Sequence, residues 1–255
     1  MKKLVVALLM MTLVFSGCGG DTQNDNNNGN NVIKRTSTPK PDPLTIDETK
    51  LSNDYIIEEV TEDNTKEGFE SVLKYPKVSK MADSDLEARI NKTITKRIEE
   101  YKEIAGLMGG ALDEDSEGVN QVLNVSYEVA FRSEYTFSIK LILENYIVEL
   151  EEPDEIIESY NFDLRNGMQY ELEDMISDMS KLDSLLVKEV QESGVSLLKE
   201  IESVEDVGGF FIRESGLVLY VQTLQYTTPD IGPLEFEVSY DDIKDIVKDS
   251  KVWGK

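Results

Sequence analysis

The chain has 255 residues, of which 51 are acidic and 26 basic, giving a formal net charge of −25. A surface of that sign repels nucleic acid and anionic lipid and favours cationic partners. With no histidine and a single cysteine, the sequence excludes Ser-His-Asp and Cys-His catalysis in their usual forms, zinc sites built on histidine, and an internal disulfide.

The N-terminus reads as a processing segment. Lys2 and Lys3 precede an apolar stretch from Leu4 to Phe15, broken only by Thr12. It is shorter than the roughly 20 residues needed to span a bilayer and fits the h-region of a signal peptide. The run ends in Phe15-Ser16-Gly17-Cys18. This resembles the lipobox of bacterial lipoproteins, with Phe15 bulkier than the usual residue. The resemblance implies a signal peptide over residues 1–17 and a diacylglycerol thioether on Cys18. It also implies an anchored position on the extracytoplasmic face of the cell membrane. Each buried acyl CH₂ adds about 0.8 kcal/mol to such an anchor. Loss of Lys2 and Lys3 takes the formal charge from −25 to −27.

Residues 18–48 read as a tether. Asp21 to Asn31 is rich in asparagine, and Thr36 to Pro43 carries three prolines. Neither part has the apolar periodicity that a core requires. A flexible chain of about 30 residues reaches roughly 30 Å.

The folded part follows. Tyr55–Val60 and Phe69–Val78 read as strands separated by a polar loop, Thr61–Glu67. Ser84 and Glu87 have capping-box spacing. Leu86, Ile90, Ile94, Ile98, Tyr101 and Ala105 then form one helical face, with Gly106, Gly109 and Gly110 expected to end the helix. Leu123 to Phe131 and Tyr135 to Leu143 alternate apolar and polar residues about a short turn at Arg132–Glu134, which predicts a β-hairpin. Tyr160, Phe162 and Leu164 alternate in the same way. Asn166-Gly167 then supplies positive φ angles for a tight turn, and Met168, Tyr170 and Leu172 return.

A second helix is predicted from Ser180 to about Lys199, with Leu182, Leu185, Leu186, Val190, Leu197 and Leu198 inward and Gly194 as a kink or break. Phe210–Ile212 and Leu217–Val221 form a third hairpin, the latter a central strand. Leu234 to Tyr240 alternates as a further strand, and Asp241–Val247 closes the chain as a short helix. Hairpins with segregated helices give an α+β fold, a mostly antiparallel sheet with helices packed on it.

The segments Lys74-Tyr75-Pro76-Lys77-Val78 and Ala88-Arg89-Ile90-Asn91-Lys92, then Tyr160 to Gly167, Gly216 to Tyr220, Gly232 to Phe236 and Tyr240, are together similar to a two-part extracytoplasmic module. That module occurs in the lysozyme-sensing anti-sigma factor RsiV and beside the catalytic domain of the peptidoglycan deacetylase PdaC. The resemblance spans about residues 54–250. It places the first part at 49–118 and the second at 119–255, and implies an α+β domain that binds a ligand outside the membrane. In the sensing member that ligand is lysozyme, a basic protein. This chain departs from the pattern twice. Leu150–Glu158 lacks the family's Gly-Ala-His element, and Pro229-Asp230 stands where the family has Pro-Tyr before the Gly-Pro turn, with Tyr226 earlier.

Two segments are candidate ligand contacts. One is the loop with Tyr226, Thr227, Pro229 and Asp230, since tyrosine is favoured at interfaces. The other is the acid run with Glu149, Glu151, Glu152, Asp154 and Glu155, which reads either as a solvated face or as a patch for a cationic partner. Asp113, Asp115, Glu117 and Gly118 imitate the start of a calcium loop, but Asn124 stands where the bidentate Glu belongs. No metal or other cofactor is therefore expected. The sequence is read as a non-enzymatic, surface-anchored binding module for a basic protein or a cell-wall ligand. A wall hydrolase or transferase using carboxylates and a structural spacer are the alternatives.

Overall fold

The alternating runs form two β-sheets. A computed structural model describes residues 40–111, 121–148 and 155–255. Cys18, the signal segment, the tether up to residue 39, Asp113, Asp115, Glu117, Gly118, Glu149, Glu151, Glu152 and Asp154 lie outside the described residues, as does the side chain of Ala105.

The larger sheet contains β1 (Ile56–Asp63), β2 (Phe69–Glu70), β3 (Val72–Ser79), β4 (Gln121–Arg132), β5 (Thr136–Ile147), β6 (Glu155–Asp163) and β7 (Met168–Gln169). Its order is β1-β3-β4-β5-β6-β7, with β2 beside β4. Only β2 and β3 pair with β4 in parallel; the other pairings are antiparallel. Parallel neighbours need a crossover, and α1 (Ser84–Ala111) supplies it. The smaller sheet is antiparallel, in the order β10-β9-β8, from β8 (Gly209–Ile212), β9 (Gly216–Val221) and β10 (Leu234–Ser239). Three short or medium helices accompany it: α2 (Leu172–Met175), α3 (Met179–Ser193) and α4 (Tyr240–Ile243). The class is the expected α+β, with mostly antiparallel sheets built from hairpins. The strands on either side of residue 118 share one sheet and one core, with Leu73 of β3 paired to Val125 of β4.

Helix α1 buries Leu86, Ile90, Ile94, Ile98 and Tyr101 against Val125, Phe137, Ile139, Leu141 and Phe162. Its cap is Asp83 rather than Ser84. The Asp83 carboxylate accepts from the amides of Asp85 and Leu86 at 3.0 and 2.9 Å, while Glu87 reaches back to the Met81 amide at 3.0 Å. The helix also continues through Gly106, Gly109 and Gly110. Glycine costs about 1 kcal/mol in a helix but does not forbid one.

Local limits differ elsewhere for physical reasons. Strand β1 extends to Asp63 because Glu62 and Asp63 pair with Leu73 and Val72, so the predicted loop is shorter. The Asn166-Gly167 turn is wider than a two-residue hairpin. Only Gly167 has positive φ (68°), and the amides of Asn166 and Gly167 both donate to the Asp163 carbonyl. Tyr170 and Leu172 then leave the sheet, and Leu172 opens α2. Helix α3 stops at Gly194, whose left-handed φ of 67° ends it, so Leu198 projects into solvent instead of inward. At the C-terminus α4 covers only Tyr240–Ile243, followed by a 3-10 turn from Ser250 to Trp253.

The two sheets meet through polar side chains. Ser159 and Asn161 of β6 donate to the Phe210 carbonyl at 2.5 and 2.8 Å, and Ser138 of β5 accepts from the Ile212 amide at 3.1 Å. Lys140 of β5 contacts Glu128 and Glu235 at 2.8 and 2.7 Å, and Arg213 reaches Glu235 at 3.0 Å. Both cations lie over the Phe211 ring. The polar half of the β5 and β6 alternation is therefore buried beneath a second sheet, and Ser138 is fully covered.

The second core contains Trp253, a residue that the sequence periodicity does not single out. Its indole N–H donates to the Gly216 carbonyl at 3.2 Å, and its ring is 2% exposed among residues of β9, β10 and α4. Trp253→Ala is expected to cost about 3–5 kcal/mol. Urea denaturation with an unchanged m-value checks this, and a loss under about 1 kcal/mol contradicts the packing role.

Candidate functional site

The loop after β9, residues 222–233, is fixed from several sides. Gln222 clasps the backbone of Ile157, accepting from its amide at 3.1 Å and donating to its carbonyl at 2.6 Å. Thr223 donates to the Glu155 carbonyl at 3.2 Å. The Leu224 amide donates to the Thr227 carbonyl, and the Tyr226 amide to the Gln222 carbonyl, which closes a tight turn. Further on, the Thr228 carbonyl accepts from the amides of Ile231 and Gly232.

Tyr226 and Thr227, candidate ligand contacts from the sequence, are anchors of this loop. Both side chains are buried. The Tyr226 hydroxyl donates to Asp206 at 3.2 Å and the Lys199 ammonium sits 4.0 Å from its ring centre. Thr227 donates to the Gly232 carbonyl at 2.5 Å. Pro229 is half-buried and Asp230 is exposed. Burial pushes the Tyr226 hydroxyl pKa up. Amide donors from Glu202 and Ser203, with the Tyr226 hydroxyl, hold the Asp206 carboxyl below its usual range.

The side chains that this loop presents are others. Among the described residues the exposed large hydrophobics are Leu198, Leu224 and Ile231, at 60, 56 and 42% exposure. Leu224 and Ile231 belong to the loop, and the Leu198 amide donates to the Tyr226 carbonyl at 2.8 Å. Leu224 also has a φ of +61°. A bulky residue in the left-handed region is a strained outlier. The sequence signal for Leu224 and Ile231 is faint: single apolar residues in polar stretches, which periodicity ignores.

The structure joins the two sequence candidates at Glu155, the described member of the acid run. Glu155 is exposed and directly opposite Glu144 across β5 and β6, so like charges face each other. Gln121 and Ile147 pair at the same end of the sheet. The sequence adjoining these positions holds Asp113, Glu114, Asp115 and Glu117 before Gln121, and Glu149, Glu151, Glu152 and Asp154 after Ile147.

Among the described residues no group of acids is arranged to hold a metal ion. Among the described residues every carboxylate with a displaced pKa, from Asp47 and Glu62 to Glu128, Asp206 and Asp249, is displaced downward. A general acid needs the opposite shift. A hollow of about 280 Å³ lies between β1, β3 and α1, lined by Tyr75, Pro76, Lys77, Asn91 and others. Two of its polar side chains are engaged in the fold, Asn91 with both backbone groups of Val78 and Tyr75 with Glu62.

No protein-family model matches the chain, and no curated protein sequence matches it. Solved structures do share its fold. A member of the DUF3298 family from Bacteroides fragilis superposes with a TM-score of 0.55 at 15% identity, covering 79% of this chain and 96% of its own. A DUF3298 family protein from Pseudomonas aeruginosa gives 0.52 at 10% identity, covering 83% of this chain and 95% of its own. The shared fold is consistent with the extracytoplasmic module to which the sequence motifs point.

Leu224→Gly is expected to leave stability unchanged or raise it by up to about 1 kcal/mol, because relief of the left-handed strain offsets glycine's larger chain entropy. Chemical denaturation reads this, and a clear loss contradicts the strain. A second expectation concerns pH. Asp206 has a depressed folded-state pKa, so its contribution is complete above its unfolded value, near 3.9, and is lost as pH falls through the lower folded value. Asp206→Asn should therefore flatten the stability profile below about pH 4 and leave its slope between neutral and mildly acid pH unaltered.

Proposed function

We propose that the chain is a surface-anchored lipoprotein carrying a non-catalytic extracytoplasmic binding module, held to the membrane by lipid on Cys18. Its ligand is a cationic protein, and a basic wall-active muramidase such as lysozyme is the sharpest form of the proposal. One observation carries this reading. The exposed large hydrophobics Leu224 and Ile231 lie on one anchored loop, which meets the exposed Leu198 through the Tyr226 carbonyl and the exposed acid Glu155 through Thr223. An apolar centre within a charged rim is the usual anatomy of a protein interface. The carboxylate surround selects a basic partner and speeds its encounter. The lipobox-like segment, the family motifs and the shared DUF3298 fold support the same reading from independent directions.

The test is titration of the purified chain with lysozyme at low and high salt. Binding should weaken as salt rises. Leu224→Asp and Leu198→Asp should each reduce affinity by about tenfold or more, the scale of a loss above 1.4 kcal/mol, with unchanged melting temperature. No binding at low salt removes lysozyme as the ligand. Cys18→Ala should release the protein from the membrane fraction.

A further inference from the structure

Strand β1 is the outer margin of the larger sheet and pairs on one side only, with β3. Bonds at both ends of this pair fix which backbone groups of β1 face outward. The Asn64 amide donates to the Ser71 carbonyl at 2.8 Å. Asn91 of α1 takes both backbone groups of Val78, and Asn124 of β4 accepts from the Val72 amide at 2.8 Å, so these groups are not given to β1. Antiparallel partners alternate between bonded and non-bonded pairs. Val72, Lys74, Pro76 and Val78 are therefore the non-bonded partners of Asp63, Thr61, Glu59 and Ile57. Pro76 fits this alternation, because it has no N–H to give. Ile57, Glu59, Thr61 and Asp63 thus turn their amides and carbonyls away from β3.

The fold closes comparable groups elsewhere. The Tyr55 carbonyl, next in the outward row, accepts from Arg132. The edge of β8 is served by Ser138, Ser159 and Asn161. Among the described residues no hydrogen bond reaches the outward groups of Ile57, Glu59, Thr61 and Asp63. Such a margin is a template for a further strand. The outer margin of β10 is shorter, and its Glu235 and Glu237 are already paired with Arg213.

Charge decides which strand the margin of β1 accepts. It carries Glu58, Glu59, Glu62 and Asp63 and no base. Glu62 is held by Lys102 and by the Tyr75 hydroxyl. Glu58, Glu59 and Asp63 are exposed and form no ion pair among the described residues. Pairing with a second copy of β1 would set acids against acids. A strand bearing lysine or arginine gains where the copy loses.

We propose that the outer edge of β1 is a second docking site, which takes an extended basic segment of another protein as an added strand. Backbone bonds hold the segment, and the three free carboxylates select its charge. The site is separate from the loop after β9, which rests on the first residues of β6, because β3, β4 and β5 lie between β1 and β6. It needs neither that loop nor a lipid on Cys18.

The experiment titrates the full chain with a synthetic peptide of alternating lysine and valine, about eight residues long to match a strand. Amide hydrogen exchange is followed residue by residue. In the free chain the amides of Ile57, Glu59, Thr61 and Asp63 should exchange faster than those of Glu58, Val60 and Glu62, which face β3. Saturating peptide should slow the first set by about tenfold or more. The same peptide N-methylated at every amide keeps its charge but has no backbone donor, and should give no protection. Thr61→Pro removes an outward donor that β3 does not use. It should lower peptide affinity by about tenfold or more with the melting temperature little changed. Outward amides already protected in the free chain overturn the proposal. So do peptide binding that leaves them unprotected, equal protection by the N-methylated peptide, and no binding at low salt. If Thr61→Pro does not fold, the exchange comparison on the unaltered chain still decides.

Discussion

The fold depends on how the free edge of β8 is satisfied. A strand at the margin of a sheet presents unpaired amides and carbonyls, and buried backbone groups must find partners. Here the partners are side chains on the reverse face of the larger sheet. Ser159 and Asn161 serve the Phe210 carbonyl, and Ser138 serves the Ile212 amide. The exchange also runs the other way, because Gln222 from the end of β9 takes both backbone groups of Ile157 on β6. This polar seam sets the smaller sheet on the larger one in a single register. Slip it by one residue and Gln222 loses Ile157, and the loop that follows loses its base. The position of the candidate surface is therefore a consequence of the seam.

The seam also explains which parts of the fold were legible in the sequence. The α1 face of the larger sheet is apolar, so Phe137, Ile139 and Leu141 stand out by alternation, as do Ile90, Ile94 and Ile98 on the helix above them. The opposite face is polar in sequence, and a period-two rule assigns Ser138, Lys140, Ser159 and Asn161 to solvent. They are covered because a second layer offers hydrogen bonds and carboxylates to them. No local pattern encodes that layer. It is tertiary information, written in the pairing of residues some 50 to 95 positions apart. The ends of α1 and α3 show the same limit on a smaller scale. Three glycines near residue 110 sit within one helix, yet Gly194 stops another, because only Gly194 takes the left-handed conformation that ends it.

The candidate site was half legible. The loop between β9 and β10 was identifiable from its tyrosine, proline and position, but the roles inside it were inverted. Tyr226 is conspicuous in sequence, and its ring is spent on the fold, with its hydroxyl on Asp206 and Lys199 above its face. The side chains left exposed are the inconspicuous Leu224 and Ile231, with Leu198 from the segment after α3. The Leu198 amide meets the Tyr226 carbonyl of that loop because Gly194 ends the helix early. A predicted inward leucine became an exposed one through a single helix stop.

Leu224 brings these threads together. Its left-handed φ follows from the bonds that close the turn around it, from the Leu224 amide to Thr227 and from the Tyr226 amide to Gln222. Holding a branched side chain in that conformation costs on the order of 1–3 kcal/mol. Burial does not repay that cost, since more than half of the side chain faces solvent. Glycine would satisfy the same turn without the strain, and asparagine would lessen it. A fold arranged for its own stability has no use for leucine at this position. The strain becomes intelligible if the side chain completes its contacts elsewhere. A partner that covers Leu224 recovers about 25 cal/mol for each Å² of apolar surface removed from water, and the rigid turn spares it the entropy of ordering a mobile loop. On the proposed binding reading the cost sits in the free state and the return would come in the complex, which is the energetic arrangement expected of a presented contact.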